Sequence, residues 1–313
     1  MELTSTVEIL SNPKGQHRKE KMAFRFAFIT DTHLYPDAPQ NFGGDGSQQQ
    51  ESSIEIYTEL IRQLNEFQPE FVIHGGDIVC GGDSFGMTVE QYEAALRQAK
   101  RFEEQLNAPC YYIPGNHDLN PVTGSKATYL EHFSTDGRAY TSFVHEDIRF
   151  ILVDSQEVPK DLTHGHIGER QLEWLREEFE SAAGAEQGVL LFAHQLIFPP
   201  QEFQGLGARI DNTEAVLAIL DEFDPLLATF HGHLHLNRVI KRRGVLYTIT
   251  AAAICYPMMW RQVFVEADGI HVKSCQLELP EIVAKSAAAS PDRHELLLGS
   301  ETDREFVIRR RRS

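Results

Sequence analysis

Two rhythms of apolar and polar positions alternate along most of the chain. AFRFAFIT (23–30) is nearly continuous in apolar residues and predicts a buried strand. SIEIYTELIRQLNEF (53–67) places its apolar residues three and four apart and predicts a helix. EFVIHGG (70–76) predicts a second strand, VEQYEAALRQAKRFEEQL (89–106) a second helix and CYYIPG (110–115) a third strand. The middle of the chain is built differently, and TSFVHEDIRFILVDS (141–155) predicts a hairpin turning at Glu146-Asp147. A helix from Glu169 to about Ser181, a strand VLLFAH (189–194), a helix TEAVLAILDEF (213–223) and a strand LLATFH (226–231) follow. Two further hairpins turn near Arg243-Gly244 and Asp268-Gly269.

The opening β–α–β–α–β order implies parallel strands joined by right-handed helical crossovers. Together with the hairpins it fits an α/β fold of two mixed sheets covered by helices better than one purely parallel sheet. Met22 opens MAFRFAFITD, so residues 1–22 read as an N-terminal extension and residues 23–279 as the main domain. From 280 to 313 the sequence becomes rich in Ala, Ser and charge and ends in RRRRS, which predicts a peripheral helix or flexible tail.

At 313 residues the chain is long enough to bury a large core. Its formal charge of −17 argues against a nucleic-acid or anionic-membrane surface. No stretch approaches the roughly 20 consecutive apolar residues of a membrane span. Cys80, Cys110, Cys255 and Cys275 show no metal-finger spacing, and reduced thiols in a cytoplasmic protein account for them most simply.

Polar residues gather where the apolar strands end. FAFIT runs into Asp31-Thr32-His33, FVIHGG into Asp77, YYIPG into Asn116-His117-Asp118, VLLFA into His194, and LLATF into His231-Gly232-His233-Leu234-His235. Carboxyl ends of strands are where open α/β sheets place their ligand crevice. Neutral imidazoles mixed with carboxylates suit zinc, manganese or iron better than calcium or magnesium. These donors exceed the needs of one ion and are enough for a pair roughly 3.5–4 Å apart sharing a bridging carboxylate. In Asp-x-His and His-x-His both side chains lie on one side of an extended segment, so each pair addresses one cavity.

The ordered motifs D-x-H, G-G-D, G-N-H-D, a lone His after a strand and G-H-x-H resemble the calcineurin-like metallophosphoesterase superfamily, over roughly residues 24–275. TDTHL, GGD, PGNHD, LVDSQ and G-x-I-G-x-x-Q-L-x-W-L are similar to the branch of bacterial cyclic-nucleotide phosphodiesterases and glycerophosphodiesterases. The resemblance implies a four-layer α/β/β/α sandwich. It implies Asp31, His33 and His235 on a first metal, Asn116, His194 and His233 on a second, and Asp77 bridging, with manganese, iron and zinc all open. His117 would stabilise or protonate the leaving group, and Asp118 would orient it. A hydroxide between the ions would attack phosphorus in line. One departure stands out: the family often has a second His where this chain has Gln195, a change expected to act on the substrate mouth.

The implied substrate is a small organic phosphate, a phosphodiester before a monoester or nucleoside diphosphate, and related enzymes often dimerise. A scaffold without catalysis is disfavoured because His117 and the ligand set are all present. Substrate choice falls to the loops 35–50, 119–126 and 196–210, with Tyr256 and Trp260 as candidates for substrate contact beside the Met258-Met259 pair. His74 and His231 read as packed strand residues, His164 and His166 as a surface loop, and Asp154 as a turn residue or one that supports the ligands from outside rather than a ligand itself.

Overall fold

The computed structural model describes residues 24–157, 163–200, 203 and 208–309. The expected extension 1–22 lies outside them, as do parts of the 196–210 loop. The first sheet carries β1 (Phe24–Ile29), β2 (Phe71–His74) and β3 (Cys110–Tyr112) in parallel. Helix α1 (Ser53–Phe67) and helix α2 (Val89–Glu103) make the two crossovers. Thr88 starts α2 with a reciprocal cap: its hydroxyl accepts the Gln91 N–H, and the Gln91 side chain accepts the Thr88 N–H.

Helix α3 (Ala127–Phe133) then leads to the second sheet. It holds β4 (Thr141–His145), β5 (Ile148–Leu152), β6 (Gly188–Phe192), β7 (Leu226–His231), β8 (Arg238–Arg242) and β9 (Val245–Ile249), with α4 (Glu169–Gly184) and α5 (Thr213–Glu222) packed outside. Its spatial order is β4-β5-β6-β7-β9-β8. The chain returns to the first sheet as β10 (Met259–Val265) and β11 (Gly269–Gln276), which extend it antiparallel from β1.

Alternation along β1 explains the layering. Phe24, Phe26 and Phe28 point between the sheets, where they meet Phe150, Leu190, Phe192 and Phe230. Ala27 and Ile29 point outward against Ile56, Leu60 and Leu64 of α1. On the far side Ile151, Val189 and Leu191 bury the apolar faces of α4 and α5. The result is the expected four-layer α/β/β/α sandwich of two mixed six-stranded sheets.

The C-terminal expectation needs correcting. Helix α6 (Pro280–Ala289) is present, but α7 (His294–Leu298) and α8 (Glu301–Arg304) follow, and β12 (Glu305–Arg309) pairs antiparallel with β11 at the sheet edge. The cause is an anchor distant in sequence: the buried Arg261 guanidinium on β10 donates to the Asp303 carbonyl at 2.9 Å and the Arg304 carbonyl at 3.3 Å. Val239 N–H also donates to Asp303 Oδ1 at 2.7 Å.

Candidate metal centre

Backbone pairing continues past the ends of β1 and β2. Asp31 N–H donates to the Gly76 carbonyl at 3.0 Å and His33 N–H to the Asp77 carbonyl at 2.9 Å, so the two post-strand segments run side by side. Asp31, His33, Asp77, His233 and His235 all have positive φ, from 42° to 69°. That region is costly for side-chain-bearing residues and is tolerated best by Asn, Asp and His. Two glycines allow the approach. A Cβ on Gly115 would stand 2.1 Å from Asp77 Oδ1, and one on Gly232 would stand 2.4 Å from Asp31 Oδ2.

Two donor groups result. Asp31, His33, Asp77 and His235 bring one ligand atom each within 4.8 Å of one another, and so do Asp77, His194 and His233. Asp77 belongs to both. His235 Nε2 is 3.2 Å from Asp31 Oδ1 and 3.2 Å from His33 Nε2, while His33 Nε2 is 3.6 Å from Asp77 Oδ2. His194 Nε2 is 3.1 Å from Asp77 Oδ2.

The donor set fits cations. His194 Nδ1 meets the Gly75 carbonyl at 2.8 Å, which turns Nε2 into the cluster toward Asp77 Oδ2. His33 Nδ1 is buried without a partner. Burial pushes His33 and His233 down to about 3, so both are neutral near pH 7 and offer lone pairs. Burial alone would raise the carboxyls of Asp31 and Asp77. The facing charges of His235 on Asp31 and His194 on Asp77 outweigh it and hold both below the usual carboxylate range. For His194 burial opposes charging, but Asp77 and Asp31 raise it to about 9, so a proton occupies this imidazole when no cation does.

His117 sits beside the first group, its ring centroid 5.3 Å from that of His33 and 4.8 Å from that of Phe85. Its Nδ1 lies 3.2 Å from the Gly81 carbonyl. The expected role of Asp118 is corrected here. One Asp118 oxygen accepts the N–H groups of Ile78 and Val79 at 2.8 and 3.2 Å, and the other accepts that of Gly115 at 2.8 Å. It therefore braces the loops carrying Asp77 and Asn116, and the Gly81 carbonyl orients His117. Burial pushes the Asp118 carboxyl up to about 7, with Asp77 adding to the effect.

Trp260 is also corrected: it is buried in the core between α1 and the first sheet, where its indole N–H donates to Gln63 Oε1 at 2.8 Å. Tyr256 packs on the His294 ring at 4.7 Å and against the apolar group holding Leu196, Leu236 and Leu297, with Leu234 beside it. His74 and His231 are core histidines, tied to the Thr32 and Thr229 hydroxyls at 3.1 and 2.9 Å. His166 pairs with Asp211 at 2.5 Å, and Asp154 with Lys126. Sequence reasoning missed the Gly81 carbonyl and Cys255, whose Sγ is 3.5 Å from His235 Nδ1. No spacing signal marks either, since each contact spans distant segments.

Imidazoles and carboxylates converge, largely buried, at the strand ends of a two-sheet sandwich and form a candidate metal centre. The chain belongs to the calcineurin-like phosphoesterase family, whose model matches residues 24–237, and this makes it a phosphoric ester hydrolase. It is 28% identical over 212 residues to the 3′,5′-cyclic adenosine monophosphate phosphodiesterase CpdA of Escherichia coli, an alignment covering 67% of this chain and 69% of that one. It is 27% identical over 172 residues to a probable glycerophosphodiester phosphodiesterase GpdQ of Arcobacter nitrofigilis, covering 54% of this chain and 57% of the relative. A dimetal phosphatase from Danio rerio shares the fold with a TM-score of 0.70 at 15% identity, over 92% of this chain and 99% of that one. No helix among the described residues is long and apolar enough to cross a membrane.

Proposed function

We propose that this protein is a dinuclear metal-dependent phosphodiesterase acting on a small organic phosphate of the cyclic-nucleotide or glycerophosphodiester type. The observation that carries the reading is the membership of Asp77 in both donor groups. Its Oδ1 accepts the His117 N–H, and its Oδ2 faces both groups, 3.6 Å from His33 Nε2 and 3.1 Å from His194 Nε2. Asp31, His33 and His235 would hold one cation and Asn116, His194 and His233 the other, with Asp77 contributing to both. Manganese, iron and zinc are all compatible with these donors.

When bound, such a pair supplies Lewis acidity and brings the pKa of a water toward about 7. The chain does the rest. His194 Nδ1 stays on the Gly75 carbonyl, which aims Nε2 into the site. His117 directs Nδ1 at the Gly81 carbonyl, which leaves Nε2 to face the substrate and donate a proton to the departing alkoxide. The names of the two relatives above support a diester over a monoester. The four free cysteines agree with a cytoplasmic setting.

Rates on bis-(p-nitrophenyl) phosphate, its monoester, cyclic AMP and a glycerophosphodiester, measured with manganese, iron and zinc, test the reading. A diester rate at least tenfold above the monoester rate, with two ions bound per chain, is the expected result. One ion per chain, or a monoester preference, overturns it.

A further inference from the structure

At position 195, where the family resemblance implies a second histidine, this chain carries glutamine. Gln195 is fully buried. Its Oε1 accepts the Ser155 hydroxyl, and its Nε2 donates to Asn116 Oδ1 at 3.3 Å. The Ser155 oxygen in turn accepts the Gln195 backbone N–H at 3.3 Å. Ser155 is itself fixed, because its carbonyl accepts the His166 N–H at 2.7 Å. Gly165 closes over the pair: a Cβ there would stand 2.7 Å from the Ser155 carbonyl and 3.2 Å from Gln195 Cβ.

A hydroxyl has one proton to give. Ser155 spends it on Gln195 Oε1, which leaves the Gln195 amide nitrogen facing Asn116. Asn116 must then answer with oxygen rather than nitrogen. That oxygen has two lone pairs, and Gln195 takes only one. Asn116 lies between Gly115, packed directly on Asp77, and His117, whose N–H donates to Asp77 Oδ1 at 2.8 Å.

We infer that Gln195 is a positioning residue for the second metal: with Ser155 it locks the Asn116 carboxamide so that its oxygen serves the cation shared with Asp77, His194 and His233. The inference rests on the Asn116 assignment made under the proposed function. A histidine at 195 would meet Asn116 with either an N–H or a lone pair, according to its tautomer. Glutamine fixed by Ser155 has one choice and carries no charge at any working pH.

The test titrates Mn²⁺ into the metal-stripped full chain, reading ion affinities by calorimetry and the coupled two-manganese signal by electron paramagnetic resonance. Gln195→Met keeps the length of the side chain and removes the donor. It is expected to weaken the second ion by roughly 10- to 100-fold, the usual effect of losing a partner that orients a ligand, and to leave the first ion unchanged. Gln195→His restores most of the loss, and Ser155→Ala gives a smaller loss in the same direction, which keeps the inference open to refutation if Gln195→Met fails to fold. Asn116→Ala separates the two readings. If it binds both ions normally, the ligand assignment is wrong. If it loses the second ion while Gln195→Met or Ser155→Ala binds both as the parent does, the assignment stands and the role of Gln195 is refuted.

Discussion

The backbone N–H of His117 donates to Asp77 Oδ1 at 2.8 Å. The carboxylate common to both donor groups is thus also the group that fixes where the imidazole enters the site. Because the link uses the main chain, His117→Ala retains it. That variant is expected to keep its metal content and lose roughly 10²- to 10⁴-fold in kcat on bis-(p-nitrophenyl) phosphate. Metal analysis alongside the rate decides it: unchanged kcat removes His117 from the chemistry.

Gly115 packs so tightly that an added methyl must move Asp77, its Cβ lying 2.1 Å from Oδ1 and 2.4 Å from the Asp77 nitrogen. Gly115→Ala should therefore weaken metal binding on the order of 10- to 100-fold. Gly184, at the end of α4 with nothing within 4 Å of its Cβ position, is the control. Gly184→Ala should leave metal affinity alone and add about 0.5–1 kcal/mol of stability. Equal metal binding by the two variants contradicts the close-packing argument.

Glu103 gives a pH dependence remote from the metal groups. Burial raises its carboxyl from 4.5 to about 8, and the Tyr57 hydroxyl donates to it at 3.3 Å. The folded chain therefore holds a proton here that the unfolded chain releases above pH 4.5. Stability from this group is present below pH 4.5 and is lost as pH rises through about 8. The slope inside that window is about 1.4 kcal/mol per pH unit. Urea unfolding from pH 5 to 9 should show Glu103→Gln gaining on the parent as pH rises; parallel curves would remove Glu103 as the cause.

Metal removal should destabilise the fold, since the donor groups come from segments of both sheets. With free ion at about 100 times Kd, binding contributes about 2.7 kcal/mol for each ion. A chelator should lower Tm by several degrees, and returning Mn²⁺ should restore it. A Tm indifferent to chelation counts against resident ions.

Much of this was legible in the sequence for a simple reason: period and punctuation are local. The helix at 53–67 and the hairpin turn at Glu146-Asp147 follow from residues a few positions apart, and so does the arrival of polar residues at strand ends. What was not legible depends on partners far away. The edge strand at 305–309 is held by Arg261, some forty residues earlier. Trp260 looks like a pocket residue beside two methionines until Gln63, across the core, claims its N–H. Asp118 adjoins His117 in sequence, yet the amides of Ile78, Val79 and Gly115 take both its oxygens.

The left-handed backbone at Asp31, His33, Asp77, His233 and His235 has an evolutionary corollary. Each such residue is held in a conformation costing on the order of 1 kcal/mol or more, so the fold alone would prefer glycine at these places. Selection for turnover and selection for stability pull in opposite directions at these five positions. A descendant retained only as a binding scaffold would become more stable by erasing them, and the loss of acids and imidazoles at these turns would be the first mark of its change of trade.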